Sequence, residues 1–251
     1  MGVWVPLLLT LKVAGWATLI ALVTGVAAGF AFARLRFPGR ETLDAVLTLP
    51  MVLPPTVLGY YLLVLLGRNG FLGRWLDESF GITLIFTWQG AVVAAAVVAF
   101  PLVFKAARAA FESVDSNLEK AARSLGYGEL KVFLRITLPL AWHGILAGTM
   151  LAFARAMGEF GATLMIAGSL PGRTQTLSIA IYEAVAAGED RTAHFLVLVA
   201  SIICVLVLVA SSRMLRTGYM RLRGIWWISP STSGACWLRP SGSFICTPPS
   251  R

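Results

Sequence analysis

Two charges inside an apolar run are the residues best placed to do chemistry. Arg155 and Glu159 stand in the segment F-A-R-A-M-G-E-F-G-A-T. Four residues apart, they share one face of a helix and can pair. An isolated charge at membrane depth costs about 2.5–3.5 kcal/mol on insertion scales, so such residues face a bundle interior or an aqueous path. That chemistry is ion passage, with a plain packing pair as the alternative. No catalytic constellation accompanies them. The histidines are His143 and His194, and the cysteines Cys204, Cys236 and Cys246 show no C-x-x-C spacing. Neither a metal site nor a disulfide framework is expected from that set. No G-x-x-x-x-G-K-[ST] occurs, so the chain is not expected to hydrolyse a nucleotide in that manner, or to be an enzyme by itself.

The second patterned stretch runs from Ser113 to Leu140, S-V-D-S-N-L-E-K-A-A-R-S-L-G-Y-G-E-L-K-V-F-L-R-I-T-L-P-L, between long apolar runs. Val114, Leu118, Ala121, Ala122 and Leu125 follow helical spacing and predict one apolar face. Asp115 and Ser116 are N-cap candidates. Gly126 interrupts the pattern, and a second amphipathic piece with Leu130, Phe133 and Leu134 leads to Pro139. A helix, a glycine turn and a second helix between two membrane spans read as the docking place of a partner protein.

The elements that must hold these residues are membrane helices. Of 251 residues, 57% are hydrophobic and 13% charged, against about 25% charged in soluble domains. Five spans are expected, over about Trp4–Ala33, Leu43–Leu66, Ile82–Phe104, Leu140–Ala167 and Ala193–Ser212, since about 20 apolar residues cross a bilayer. Leu177 to Ala187 would make a sixth only by re-entering, being too short to cross. The segment from Ala167 to Arg191 reads as an external loop with a short helix over Leu177–Ala186, either capping the outer mouth or serving as a solvated connector. Pro50, Pro54 and Pro55 break the second span and free backbone carbonyls that hydrocarbon cannot satisfy, which fits either a proline kink or a wall of a wet path. The apolar N-terminus reads as a retained first span rather than a signal peptide. Lys12, toward its outer end, is placed to snorkel.

The net charge of +9 follows membrane topology better than nucleic-acid binding, and no nucleic-acid partner is expected. Arg34, Arg36 and Arg40, then Lys105, Arg108, Lys120, Arg123, Lys131 and Arg135, then Arg213, Arg216, Arg221 and Arg223 fall on one side. Arg68, Arg74, Arg173 and Arg191 fall on the other. This bias puts the Ser113–Leu140 stretch and the C-terminus in the cytoplasm and the N-terminus outside. The chain therefore divides into a membrane part, 4–217, and a tail, 224–251. The tail mixes Trp, Cys, Pro and Ser without helical or strand period and reads as irregular and disordered.

The stretch around Glu119 resembles the EAA loop of ABC-importer permeases, E-x-A-A, a glycine four residues on, then I-x-L-P. Here those are Glu119, Ala121, Ala122, Gly126, Ile136, Leu138 and Pro139. Within that family, Leu49–Gly73, Gly81–Ala96 and Phe153–Thr163 look like molybdate permease subunits. Sulfate or thiosulfate permeases share the double proline and the A-R-A-x-G-E-like segment. The resemblance covers about Leu9 to Arg223, and the tail departs from it. It implies an all-α type I ABC-importer permease fold in the cell inner membrane, with two permease copies, two cytoplasmic ATPase subunits that use ATP-Mg, and an extracytoplasmic oxyanion-binding protein. No cofactor is implied for this chain itself. Ala121 and Ala122 would permit close approach of the ATPase, Gly126 would turn the chain at positive φ, and Glu119 would offer its charge across the interface. Arg155, Glu159, Pro54 and Pro55 are the candidates for the translocation path. Molybdate, tungstate and sulfate are all tetrahedral dianions, and the sequence alone does not separate them. An ion-coupled secondary transporter and a non-transporting anchor are the competing readings. The first lacks the internal repeats usual for that class, and the second leaves the charged pair unexplained.

Overall fold

Small residues decide how the long helices meet. The structure, a computed structural model, describes residues 4–223 except Arg36, Asn69 and Ile82, together with 236–238 and 244–246. Helix α1 (Trp4–Arg34) buries Ala14, Ala17, Ala21, Gly25 and Gly29 along one stripe. Its hydroxyls are satisfied within the helix: Thr10 donates to the Pro6 carbonyl and Thr18 to that of Ala14, each at 2.7 Å. Such back-bonding lets a polar residue sit in a membrane helix at little cost.

The stripe lies on α5 (Trp88–Glu112). A Cβ added at Gly25 would stand 2.9 Å from the Val103 Cβ, and one at Gly29 the same distance from the Ala107 Cβ. The matching order shows that α1 and α5 run parallel. Helix α8 (Leu138–Met157) packs on α5 in the opposite sense, Gly144 against Ala110 and Gly148 against Ala106. Close approach through glycine and alanine substitutes for a hydrophobic driving force, which lipid does not provide between helices. Helix α5 is the hub: 67% of its apolar window is buried, against 11% for α11 (Asp190–Arg223) at the periphery.

The second expected span is two helices. Between helix α2 (Arg40–Val52) and α3 (Pro55–Leu66) the chain bends by 112°. Pro54 has extended backbone and Pro55 opens α3, where its missing N–H has no intrahelical partner to lose. Among the described residues, four helices are long and apolar enough to cross a membrane, five if this bent pair is one span. Other boundaries differ from expectation too, among them the end of the third span, at Glu112 instead of Phe104. The third span begins at Trp88, because the Thr87 side chain caps it by accepting the Gly90 N–H at 3.2 Å. The fourth is longer at its start and broken near its end. It runs through α7 (Glu129–Val132) and a π turn (Phe133–Thr137) into α8, so the amphipathic piece after Gly126 belongs to the span. The wide turn, closed by the Leu138 N–H on the Phe133 carbonyl, makes room for the Pro139 ring, which clashes with the preceding turn in a regular helix. After α8 the chain breaks before α9 (Gly161–Ala167).

Between the spans, α4 (Phe71–Phe80) forms where a loop was expected, ended by Gly81 at φ 63°. Helix α10 (Leu177–Ala186) matches the short helix read from the sequence, but it is no solvated connector. It buries Leu177, Ile179, Ala180 and Ala184, and its apolar face packs against Leu7, Ala193 and Leu196. The chain divides into residues 1–212 and 213–251. In the second unit, β1 (Cys236–Leu238) pairs antiparallel with β2 (Phe244–Cys246), Cys236 opposite Cys246. These six residues depart from the irregular tail expected of 224–251, because Trp, Leu, Phe and Ile favour a pleated pair. The remainder of that tail lies outside the described residues.

A Cβ at Gly148 would stand 2.2 Å from the Ala106 Cβ, whereas one at Gly15 meets nothing within 4 Å. Gly148→Val is therefore expected to destabilise the detergent-solubilised protein by about 1–3 kcal/mol through overpacking, seen as a lowered Tm. Gly15→Ala is expected to leave the Tm unchanged or slightly raised.

Candidate functional site

The expected docking stretch folds as a short helix, a glycine cap and the start of the fourth span. Helix α6 (Ser116–Ser124) begins at Asp115, whose carboxylate accepts the Asn117 N–H at 2.8 Å. It ends in a Schellman cap: the Gly126 N–H donates to the Arg123 carbonyl at 3.0 Å and the Tyr127 N–H to that of Ala122 at 3.2 Å. Gly126 is at φ 84° with open space around it, so its demand is conformational. The left-handed region costs other residues about 1–2 kcal/mol.

The single apolar face expected for α6 is divided. Val114 and Ala122 turn inward, whereas Leu118 is 49% and Leu125 78% exposed, with Ala121 between them on the outside. Leu130 and Leu134 extend the exposed apolar surface. Glu119 corrects the expectation of a charge offered outward. It is 3% exposed. One carboxylate oxygen, Oε1, accepts from the Arg34 guanidinium at the end of α1 and from the Thr137 hydroxyl, the latter at 2.7 Å. Arg123 stands 3.8 Å from Oε2. Arg123 also donates to Glu129 through Nε at 2.7 Å and Nη2 at 3.2 Å. The Glu129 carboxylate holds the Arg123 guanidinium above its usual range. Beside this cluster, Phe133 stacks edge-on to Phe30 at 4.7 Å between centroids, and Phe30 meets Phe111 at 5.3 Å. Ile136 lies within the π turn, Leu138 packs on the α5 end cluster and Pro139 is exposed.

The second group of expected residues lies where two helices break. Arg155 Nη1 donates to Glu159 Oε2 at 2.7 Å, so the pair forms. Helix α8 stops at Met157, however, and Glu159 stands in the break rather than on a helical face. Its other oxygen accepts the Ala162 N–H at 2.9 Å and so satisfies the start of α9. Glu159 is 2% exposed, while the Arg155 side chain keeps 38% of its surface open. The Pro54–Pro55 corner comes to the same place. A Cβ at Gly161 would lie 2.8 Å from Pro55, and one at Gly59 of α3 would lie 2.8 Å from Met165 of α9. The two broken spans thus meet at their breaks. Twenty residues of α8, about 30 Å at 1.5 Å per residue, separate this place from the Glu119 cluster.

Residues 3–219 match the family described as Binding-protein-dependent transport system inner membrane component. The chain belongs to that family. A permease of this kind is a membrane-spanning translocation subunit, and the resemblance read at Glu119–Pro139 holds for nearly the whole membrane part. The chain is 52% identical over 179 residues to the Molybdenum transport system permease protein ModB of Escherichia coli K12, covering 71% of this chain and 78% of that one. It is 42% identical over 160 residues to the Sulfate transport system permease protein CysW of Synechococcus elongatus, covering 64% of this chain and 56% of the other. Among solved structures, the inward-facing MetNI methionine ABC transporter superposes with a TM-score of 0.64 at 19% identity, over 86% of this chain and 94% of that one. The fold is that of ABC-importer permeases.

Sequence reasoning missed Arg34 and Thr137, the partners of Glu119. Arg34 stands with Arg36 and Arg40 in a basic stretch, so its charge points to topology and not to a partner. Thr137 carried no signal, because its partner is eighteen positions away across a turn. Replacing Glu159 tests the break. Glu159→Leu removes acceptors for Ala162 and Arg155 and is expected to cost about 3 kcal/mol, charge-assisted bonds contributing about 1.5–3 kcal/mol each. Glu159→Gln keeps an amide oxygen for Ala162 and should lose about half as much. Thermal unfolding of the purified permease measures both.

Proposed function

We propose that this permease is the membrane-spanning subunit of an ATP-driven importer that carries molybdate, and tungstate with it, into the cytoplasm. The observation that carries the substrate is the 52% identity to a molybdenum permease, higher and longer in alignment than the identity to the sulfate permease. Two copies of the chain form the translocation unit. Two ATPase subunits bind ATP-Mg and dock on the exposed stripe of Leu118, Ala121 and Leu125, and an oxyanion-binding protein delivers substrate to the outer face. The N-terminus lies outside, and the Glu119 cluster and the end of α11 face the cytoplasm. The parallel packing of α1 with α5 and the antiparallel packing of α8 support this orientation. They bring Arg34, Glu112 and the start of α8 to one end, where most basic residues lie.

The path runs past the junction of the two breaks. Arg155 draws a dianion but shares its charge with Glu159, so the attraction is partial. That suits passage, since a site that binds tightly also retains its ion. Pro54 and Pro55 supply the turn that places α3 against this junction. Discrimination among tetrahedral dianions resides mainly in the binding protein.

Reconstitution of the permease with its binding protein and ATPase in vesicles tests the reading. Labelled molybdate uptake is expected to require ATP and to be competed by tungstate well before sulfate. Uptake that persists without the ATPase and collapses with an uncoupler would instead establish an ion-coupled transporter. Leu125→Asp is expected to reduce co-purification of the ATPase at least about tenfold, the size of about 1.4 kcal/mol lost at an interface. Gly126→Pro, which removes the N–H of the helix cap, is expected to lower uptake with membrane insertion intact.

A further inference from the structure

Helix α6 is a nine-residue element with little to fix it. A helix of that length is marginal by itself, and of its own residues only Glu119 and Ala122 are buried. Ala122 contributes one methyl group. The directional attachment is Glu119, which reaches Arg34, the last residue of α1, and Thr137, the last residue of the π turn before α8. The pair Arg34–Glu119 closes 85 residues of chain, and Thr137 is itself 2% exposed.

From this geometry we infer that Arg34 and Thr137 are positioning residues for transport: through the buried Glu119 carboxylate they make α6 move as one body with α1 and α8. The inference rests on the coupling reading given above. A displacement applied to the outward stripe of Leu118, Ala121 and Leu125 reaches Glu119 on the opposite side of the same helix turn. From there it passes to the ends of two spans, both of which pack on α5. Without the link, α6 is attached by its two flanking turns and its small apolar contacts, and it pivots on them when pushed. Docking and hydrolysis are then preserved while the spans fail to follow.

A neighbouring set of ion pairs serves as a contrast. Arg40 and Arg108 both donate to Glu112 at 2.9 Å, and Arg108 and Lys105 reach Asp44, joining α2 to the end of α5. The Glu112 side chain is 43% exposed, against 4% for Glu119. Exposed pairs contribute little, whereas a buried carboxylate deprived of its donors is strongly penalised. Position near the α6 entrance is thus shared by both sets, and burial distinguishes them.

The test uses the full complex of permease, ATPase and binding protein in proteoliposomes, reading ATPase co-purification, ATP hydrolysis stimulated by molybdate-loaded binding protein, and molybdate taken up per ATP. Arg34→Gln is expected to keep co-purification and hydrolysis but to lower uptake per ATP about tenfold, within the about 5–150-fold range of coupling between distant sites. Arg34→Lys, which keeps the charge, is expected to recover most of the loss. Thr137→Val, close in shape to the native residue, is expected to lower the ratio in the same direction, and it decides the matter if Arg34→Gln fails to assemble. Glu112→Gln is expected to leave the ratio unchanged. Wild-type uptake per ATP in Arg34→Gln or, failing its assembly, in Thr137→Val would overturn the inference. Loss of co-purification in step with uptake would overturn it too, since the link would then shape the docking surface and not transmit its motion. ATP-independent uptake by the wild-type complex would overturn the coupling reading itself. ATP-driven wild-type uptake beside an unaffected Arg34→Gln would leave that reading standing and remove this inference alone.

Discussion

A carboxylate with 3% of its residue exposed survives only if its charge is answered, and the cluster at Glu119 answers it from two directions. Arg34 provides the opposite charge and Thr137 a hydroxyl donor, both on the same oxygen. Burying an unpaired ion costs several kcal/mol even after relaxation, so these three residues are held together as a unit. Much of the arrangement at this end of the molecule follows. Arg34 must finish α1 at the level of α6. The π turn must bring Thr137 to face Glu119, and the cap at Gly126 must return the chain sharply enough for both to occur. The aromatic contacts of Phe30, Phe111 and Phe133 fill the space beneath.

The membrane part combines a rigid hub with two interrupted spans. Helices α1, α5 and α8 approach through glycine and alanine, with no room for a larger side chain at Gly25, Gly29, Gly144 or Gly148. The interrupted spans are different in kind. At the α2–α3 corner and the α8–α9 break the backbone leaves the helical ladder, and its polar groups need other partners. Glu159 supplies one to Ala162, and the Pro54 carbonyl accepts from Val57 and Leu58 at 3.0 and 3.1 Å. Irregular backbone at membrane depth is tolerated where it packs on protein or lines a cavity. Having the two irregularities meet at Pro55 and Gly161 meets that condition with one junction in place of two.

The proposed coupling relates these two regions within a chain of the binding-protein-dependent permease family. The exposed leucines of α6 and the charged pair at the break lie at opposite ends of α8, a continuous helix closely packed on α5. On the proposed reading, a push at one end reaches the other through that packing, with no long-range charge effect required. The inferred role of Arg34 and Thr137 adds the attachment that such transmission needs at the near end.

Much of this was legible in the residues alone. Apolar runs of about twenty residues specify membrane helices whatever their neighbours. Helical spacing around Glu119, the Asp115 cap, the Gly126 turn and the spacing of Arg155 and Glu159 are local features, written within a few residues of one another. What local pattern does not contain is which side of a short helix meets its own chain. Five apolar positions in and beside α6 share one helical face by spacing, and only the tertiary structure, in which Glu119 reaches Arg34 and Thr137, divides them into inward Val114 and Ala122 and outward Leu118, Ala121 and Leu125. The same holds for Glu119, whose burial depends on an arginine 85 positions away, and for the meeting of the two breaks, set by α3 lying on α9. The sequence by itself determined that the chain crosses a membrane, which stretches are apolar enough to do so, and which polar residues are exceptional. Tertiary structure alone decided what those residues face, because burial and partner choice are properties of contacts between segments distant in the chain.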